Sequence, residues 1–255
     1  MTRLKVTVSQ MSDDRRKFEK EWVKLGEHVR KNGSDLVLLP EMPFFSWIYR
    51  ARRYNPVVWQ HAVNEHKRWT KRLGELGSGL VLASSPVQVK GRRHNEGFVW
   101  TKGKGKKGIH LKSYLPDEPG YYEASWYSRG DRDFSPFDAG SCQAGFMICS
   151  ELWAMGHARK YGKDGVQLLV VPRCTGKTVE KWMAGGKVAS LISGAYCISS
   201  NRAGGMFGGV GWIIDPNGNT LALTSAAKPF VTAEIDLKIV ESAKRTYPRY
   251  ALDPD

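Results

Sequence analysis

Three short apolar runs in this chain each end on a chemically active side chain. Asp35-Leu36-Val37-Leu38-Leu39-Pro40-Glu41 ends on a carboxylate, Gly108-Ile109-His110-Leu111-Lys112 on an ammonium, and Gly145-Phe146-Met147-Ile148-Cys149 on a thiol. Such runs read as buried strands. In an α/β sheet, reacting groups collect at the carboxyl ends of strands. The pattern therefore asks for a fold that carries three distant strand ends to one place, although spacing alone does not show that they meet.

The rest of the chain fits that demand. Residues 4–10 read as a strand. Residues 13–32 read as a helix capped by Ser12 or Asp13, with Phe18, Trp22, Leu25 and Val29 on one face and Gly33 at its stop. A second helix is expected from about Val57 to Leu76, and strands at 79–90, 95–102 and 107–112, the last two joined by a Lys- and Gly-rich turn. Residues 113–134 have no period and read as a long loop near the site. A strand at 142–148, a short helix at 154–162, a strand at 166–172 and a helix at 180–195 follow. Strands at 196–200, 209–215, 220–224 and 230–235 come next, with Asp215–Asn219 as a hairpin turn. The tail from Asp236 starts helical. Early strands alternate with helices and later ones are joined by hairpins, so the expected fold is α/β: a four-layer α-β-β-α sandwich with two mixed sheets. Residues 1–255 read as one domain, with 236–255 a tail.

At 255 residues and 41% hydrophobic content the chain can bury one large core. Its net charge is +14, but the cations are scattered, which favours a solvated basic surface over a nucleic-acid footprint. The cysteines Cys142, Cys149, Cys174 and Cys197 form no C-x-x-C pair and read as free thiols in a reducing compartment. No signal-peptide core precedes the first strand and no apolar run nears the ~18–20 residues of a membrane span, so a cytoplasmic protein is expected.

A cysteine attacks as its thiolate, and a free thiol has a pKa of about 8.5. A carboxylate beside an ammonium supplies what it lacks: one group takes the proton while the other offsets charge. Glu41 and Lys112 suit those parts for Cys149. The three segments, in this order, resemble the nitrilase superfamily, the carbon–nitrogen hydrolases. Leu38-Leu39-Pro40-Glu41-Met42-Pro43, His110-Leu111-Lys112-Ser113-Tyr114 and Phe146-Met147-Ile148-Cys149-Ser150-Glu151-Leu152-Trp153 match its Glu, Lys and Cys motifs. Leu115-Pro116-Asp117-Glu118-Pro119-Gly120-Tyr121-Tyr122-Glu123 resembles the loop carrying a second glutamate, and Ala195–Gly204 its late strand and Asn-Arg-x-Gly turn. The likeness extends from the first strand to about residue 236. It departs at Ser150 and at Val171-Pro172-Arg173-Cys174, which bears on substrate rather than reaction class.

The resemblance implies an α-β-β-α sandwich, a Glu41-Lys112-Cys149 triad with Glu123 holding Lys112, and acyl transfer through a thioester. It implies no metal or other cofactor, and a homodimer or larger homo-oligomer with the helix after Cys149 and the tail at interfaces. The substrate expected is a small linear amide or N-carbamoyl compound, with ammonia released. Glu151, Arg173, Tyr121 and Ser150 are candidates for substrate contacts, and Phe44, Phe45, Trp47 and Tyr121 for an aromatic pocket. Two other classes compete: a nitrilase, disfavoured by Cys-Ser-Glu where that branch often has Cys-Trp-Glu, and a non-catalytic or polyanion-binding protein, supported only by net charge. Gly176-Lys177-Thr178 lacks the first glycine of a phosphate loop, since position 171 is Val171, and the histidines show no zinc spacing. Neither nucleic acid nor membrane is expected as a partner.

Overall fold

A computed structural model describes residues 3–252. The first half of the chain folds as β1 (Arg3–Ser12), α1 (Arg15–Asn32), β2 (Leu36–Leu38), α2 (Pro56–Thr70), β3 (Leu80–Val89), β4 (Arg92–Thr101) and β5 (Gly105–Leu111). Then come α3 (Glu123–Trp126), β6 (Phe137–Asp138), β7 (Gln143–Phe146), α4 (Met155–Lys163), β8 (Leu168–Arg173) and α5 (Val179–Ser193). The last stretch is β9 (Tyr196–Gly204), β10 (Phe207–Gly208), β11 (Trp212–Ile214), β12 (Thr220–Leu223), β13 (Phe230–Asp236) and α6 (Lys238–Lys244).

Strands β1, β2 and β3 run parallel, β4 and β5 extend them antiparallel, and β13 lies antiparallel on the other side of β1. In the second half β7, β8 and β9 are parallel, with β6 on one side and β11 then β12 on the other. The two sheets are not separate. The last residues of β1, Gln10 to Ser12, pair with Asn201 to Ala203 of β9 and knit both into one continuous path.

Side chains alternate across a strand, and that alternation sorts the core into layers. Val6, Val8, Leu36, Leu38 and Leu82 face Phe146, Ile148, Leu168, Val170 and Ile198 between the sheets. The outward set Val37, Leu39 and Val81 packs under Phe18, Trp22, Leu25 and Val29 of α1. Leu169, Val171, Cys197 and Trp212 pack under Ala158 and Tyr161 of α4 and Ala189 of α5. The result is the expected α-β-β-α sandwich.

Local differences have local causes. Helix α1 starts at Arg15 because Asp14, not Ser12 or Asp13, caps it by accepting from the Arg16 N–H. Asp13 is drawn off to the Trp47 amide and to Arg50 and Arg202. Helix α2 ends at Thr70, and Leu73–Leu76 forms a separate 3-10 turn. The long loop after Lys112 contains the one-turn helix α3. In the tail, α6 is followed by a 3-10 turn over Arg249–Leu252, and residues 253–255 lie outside the described residues.

Candidate active site

Lys112 is the first residue past β5, and its backbone is held from both sides. Its N–H donates to the Asn95 carbonyl at 2.9 Å, and its carbonyl accepts from the Gly130 N–H at 3.0 Å. Position 130 needs glycine, because a Cβ there would fall 2.0 Å from the Leu111 carbonyl oxygen. So fixed, the Lys112 ammonium donates to Glu41 Oε1 at 2.7 Å and to Glu123 Oε2 and Oε1 at 2.7 and 2.9 Å. All three side chains are sealed from solvent.

Glu41 sits three residues beyond β2. Its N–H donates to the Arg173 carbonyl at 3.2 Å. The buried Arg202 guanidinium donates to the carbonyls of Glu41, Met42 and Phe45 while paired with Asp13, which pins the turn. Asn95 of β4 donates its amide N–H to Glu41 Oε1 at 2.8 Å. Oε1 thus serves two donors, whereas Oε2 is buried without a hydrogen-bond partner. One oxygen is anchored and the other is open for a proton.

Cys149 begins a 3-10 turn three residues beyond β7 and holds a left-handed φ of 51°. A non-glycine residue held there marks a turn where the surrounding structure absorbs strain, a condition that clusters at functional sites. Cys149 is 5% exposed, and Sγ lies 4.0 Å from the Cys174 carbonyl. Burial pushes the thiol well above its ordinary value; the Glu41 and Glu123 charges add to the rise and the Lys112 ammonium opposes it. At rest sulfur therefore keeps its proton, and attack requires a base. Burial also pushes the Glu123 carboxyl up to about 8 against the pull of Lys112. For Lys112 burial works downward, and the charges of Glu123 and Glu41 more than reverse it, holding the ammonium well above its usual range.

The other candidates fall on different sides of this centre. Tyr121 has a buried hydroxyl without a partner, its ring 6.1 Å from Trp47, and burial followed by the charges of Cys174 and Cys149 raises its phenol. Ser150 donates its hydroxyl to the Tyr114 carbonyl. Glu151 is corrected: both its oxygens are filled by His110 and by the Ser113 and Ile148 amides, so it braces the loops and offers no free acceptor to substrate. Arg173 feels the charge of Cys149 but points elsewhere. Alternation from Leu169 and Val171 turns its side chain to the α5 side of the sheet, over the Trp212 ring at 3.8 Å, where Ser199, Thr175 and Val210 accept its N–H groups. Phe44 belongs to the packing under α1, stacked with Trp69, whereas Trp47 clusters with Tyr49, Trp126 and Phe207. Asn95 was not among the residues singled out; an Asn inside a strand, where that residue is depleted, was its one local signal. A surface cleft of about 610 Å³ lined by Trp59, His66, Lys67 and Lys106 contains none of the site residues.

This architecture and cluster define a class, and comparison with known proteins agrees. The carbon-nitrogen hydrolase family profile matches residues 5–245, and the chain belongs to that family. A citrullinase of Francisella tularensis is 26% identical over 183 residues, a match spanning 69% of this chain and 63% of that protein. An N-carbamoylputrescine amidase of Arabidopsis thaliana is 23% identical over 249 residues, covering 88% of this chain and 83% of its own. The crystal structure of a carbon-nitrogen hydrolase from Helicobacter pylori superposes with a TM-score of 0.85 at 23% identity, covering 98% of this chain and 94% of that one. No helix among the described residues is long and apolar enough to cross a membrane.

Proposed function

We propose that the protein hydrolyses the C–N bond of a small linear amide or N-carbamoyl compound through a Cys149 thioester and releases ammonia. The observation that carries the reading is the divided Glu41 carboxylate: one oxygen anchored by Lys112 and Asn95, the other buried without a partner, with a charge that the Cys149 thiol feels. Sulfur attacks the carbonyl carbon as Glu41 Oε2 takes its proton. The Lys112 ammonium and the backbone N–H after Cys149 face the oxyanion that develops. Glu41 then returns the proton to the leaving nitrogen, the C–N bond breaks, and ammonia departs. A water deprotonated by Glu41 cleaves the thioester, giving the acid and the free thiol. Glu123 keeps Lys112 in place, and the Tyr121 hydroxyl is a free contact for the substrate. The relatives named for citrulline and N-carbamoylputrescine support the carbamoyl or amide class.

Ammonia release from a panel of amides, carbamoyl compounds and nitriles tests this. Turnover of amide or carbamoyl compounds, lost in Cys149→Ala, is expected; turnover of nitriles alone, or full turnover in Cys149→Ala, overturns it. The same reading includes a homodimer through the face after Cys149 and the tail, where Trp153, Val188, Tyr247 and Tyr250 are exposed apolar side chains. A monomer in sedimentation at low concentration would contradict that part.

A further inference from the structure

His110 and Glu151 stand outside the Glu41–Lys112–Glu123 cluster, yet Glu151 bonds to the segments that carry Lys112 and Cys149. Glu151 Oε1 accepts from the N–H of Ser113, the residue after Lys112, at 2.7 Å. Its Oε2 accepts from the N–H of Ile148, the residue before Cys149, at 2.8 Å. One fully buried carboxylate thus spans the Lys112 and Cys149 loops. His110 Nε2 meets the same carboxylate at 2.8 and 3.0 Å. Its other nitrogen, Nδ1, lies 2.9 Å from the Asp133 carbonyl, which can only accept. A neutral imidazole has a single N–H. Two oxygen partners therefore require one more proton, held between Nε2 and the carboxylate.

We propose that His110 and Glu151 form a proton-holding positioning pair that sets the spacing of Lys112 and Cys149, so that loss of the shared proton on the alkaline side slows C–N bond hydrolysis. This rests on the reading of Cys149 and Lys112 given above. The groups around His110 favour the proton. Burial works against it, but Glu151 and then Asp133 outweigh burial and raise His110 above its ordinary value. From α4, His157 stacks on Phe134 at 3.7 Å and bonds to the Tyr114 hydroxyl; burial lowers it, so it stays neutral while His110 is charged. Tyr161 lies within reach of the Glu151 charge, its phenol raised by burial and then by that charge, so it stays uncharged. Arg132 opposes a charge on His157. The Lys112 charge is met by its own two carboxylates.

The test combines three measurements on the full chain. Imidazole nitrogen NMR should find His110 doubly protonated at neutral pH and losing one proton at alkaline pH, with kcat falling along the same curve. In His110→Asn, kcat should drop about 100-fold, the scale of a small misplacement of reacting groups. KM should stay near the wild-type value, and the alkaline decline should vanish. Alkylation of Cys149 by iodoacetamide, which needs no substrate, should slow in the same variant. A singly protonated His110 at neutral pH, or a His110→Asn enzyme with wild-type kcat and pH curve, overturns the proposal. If His110→Asn does not fold, the wild-type NMR curve and its coincidence with kcat decide. If nothing in the substrate panel is turned over, the reaction assignment falls, and NMR and alkylation still judge the pair.

Discussion

Lys112 and Arg173 are both buried cations just past or at the end of a strand, one in each sheet, and the protein treats them oppositely. Lys112 is met by two carboxylates within 2.9 Å. Arg173 has no carboxylate among its hydrogen-bond partners: two hydroxyls, one carbonyl and the Trp212 ring hold it, and burial pulls it down to about 9. An ammonium is a compact, strongly hydrated charge, and burying it demands counter-charge. A guanidinium is delocalised and planar and can rest on neutral oxygens and an aromatic face. The first arrangement concentrates charge that a reaction can use. The second ties the segment after β8 to β9 and to Val210.

That contrast predicts unequal damage. Lys112→Met should cost the most, because it removes the buried cation that Glu41 and Glu123 both contact. Breaking a buried pair this way costs about 3–5 kcal/mol, read by denaturant unfolding. On the mechanism proposed above, in which Lys112 is an oxyanion donor, kcat should fall by about 100–1,000-fold. Adding Glu123→Gln to Lys112→Met should restore much of the stability and none of the rate. A double variant no more stable than Lys112→Met would break the charge argument.

Arg173→Met should be milder, about 1–3 kcal/mol for hydroxyl and carbonyl acceptors left without a donor. KM for the amide should barely change; a large rise in KM would return Arg173 to the substrate.

The remaining effect is on pH dependence. Glu123, Lys112 and His110 all hold their protons more tightly folded than unfolded. Raising pH therefore removes stability. The Glu123 contribution is lost between its ordinary value of 4.5 and about 8, and that of His110 from its ordinary 6.5 upward. Thermal midpoints should fall across this window in the wild type and fall less steeply in Glu123→Gln. Equal slopes would show that Glu123 does not titrate there.

Much of this is legible in the sequence. The period-2 and period-3.6 patterns located most strands and helices, since each is a local preference over a few residues. The buried face of α1 and the turn at Asp215–Asn219 were readable in the same way. The 13–32 helix missed its cap because Asp13 is recruited by Arg202, 189 positions away. The surroundings of Glu151 and Arg173 are not legible for a similar reason. Their residue types suit substrate contacts, but alternation and neighbours from other strands occupy them first.

The linear chain by itself determined which reactive groups end the strands and the order in which they arrive, because hydrophobic period and turn chemistry act locally. Only the tertiary structure decided that Glu41 and Lys112, 71 positions apart, share a proton-rich contact. It alone left one Glu41 oxygen open, brought in Asn95, and turned Arg173 outward. Those outcomes depend on the register of β2, β3, β4 and β5 and on the seam between β1 and β9, which are long-range pairings that no short window of residues encodes.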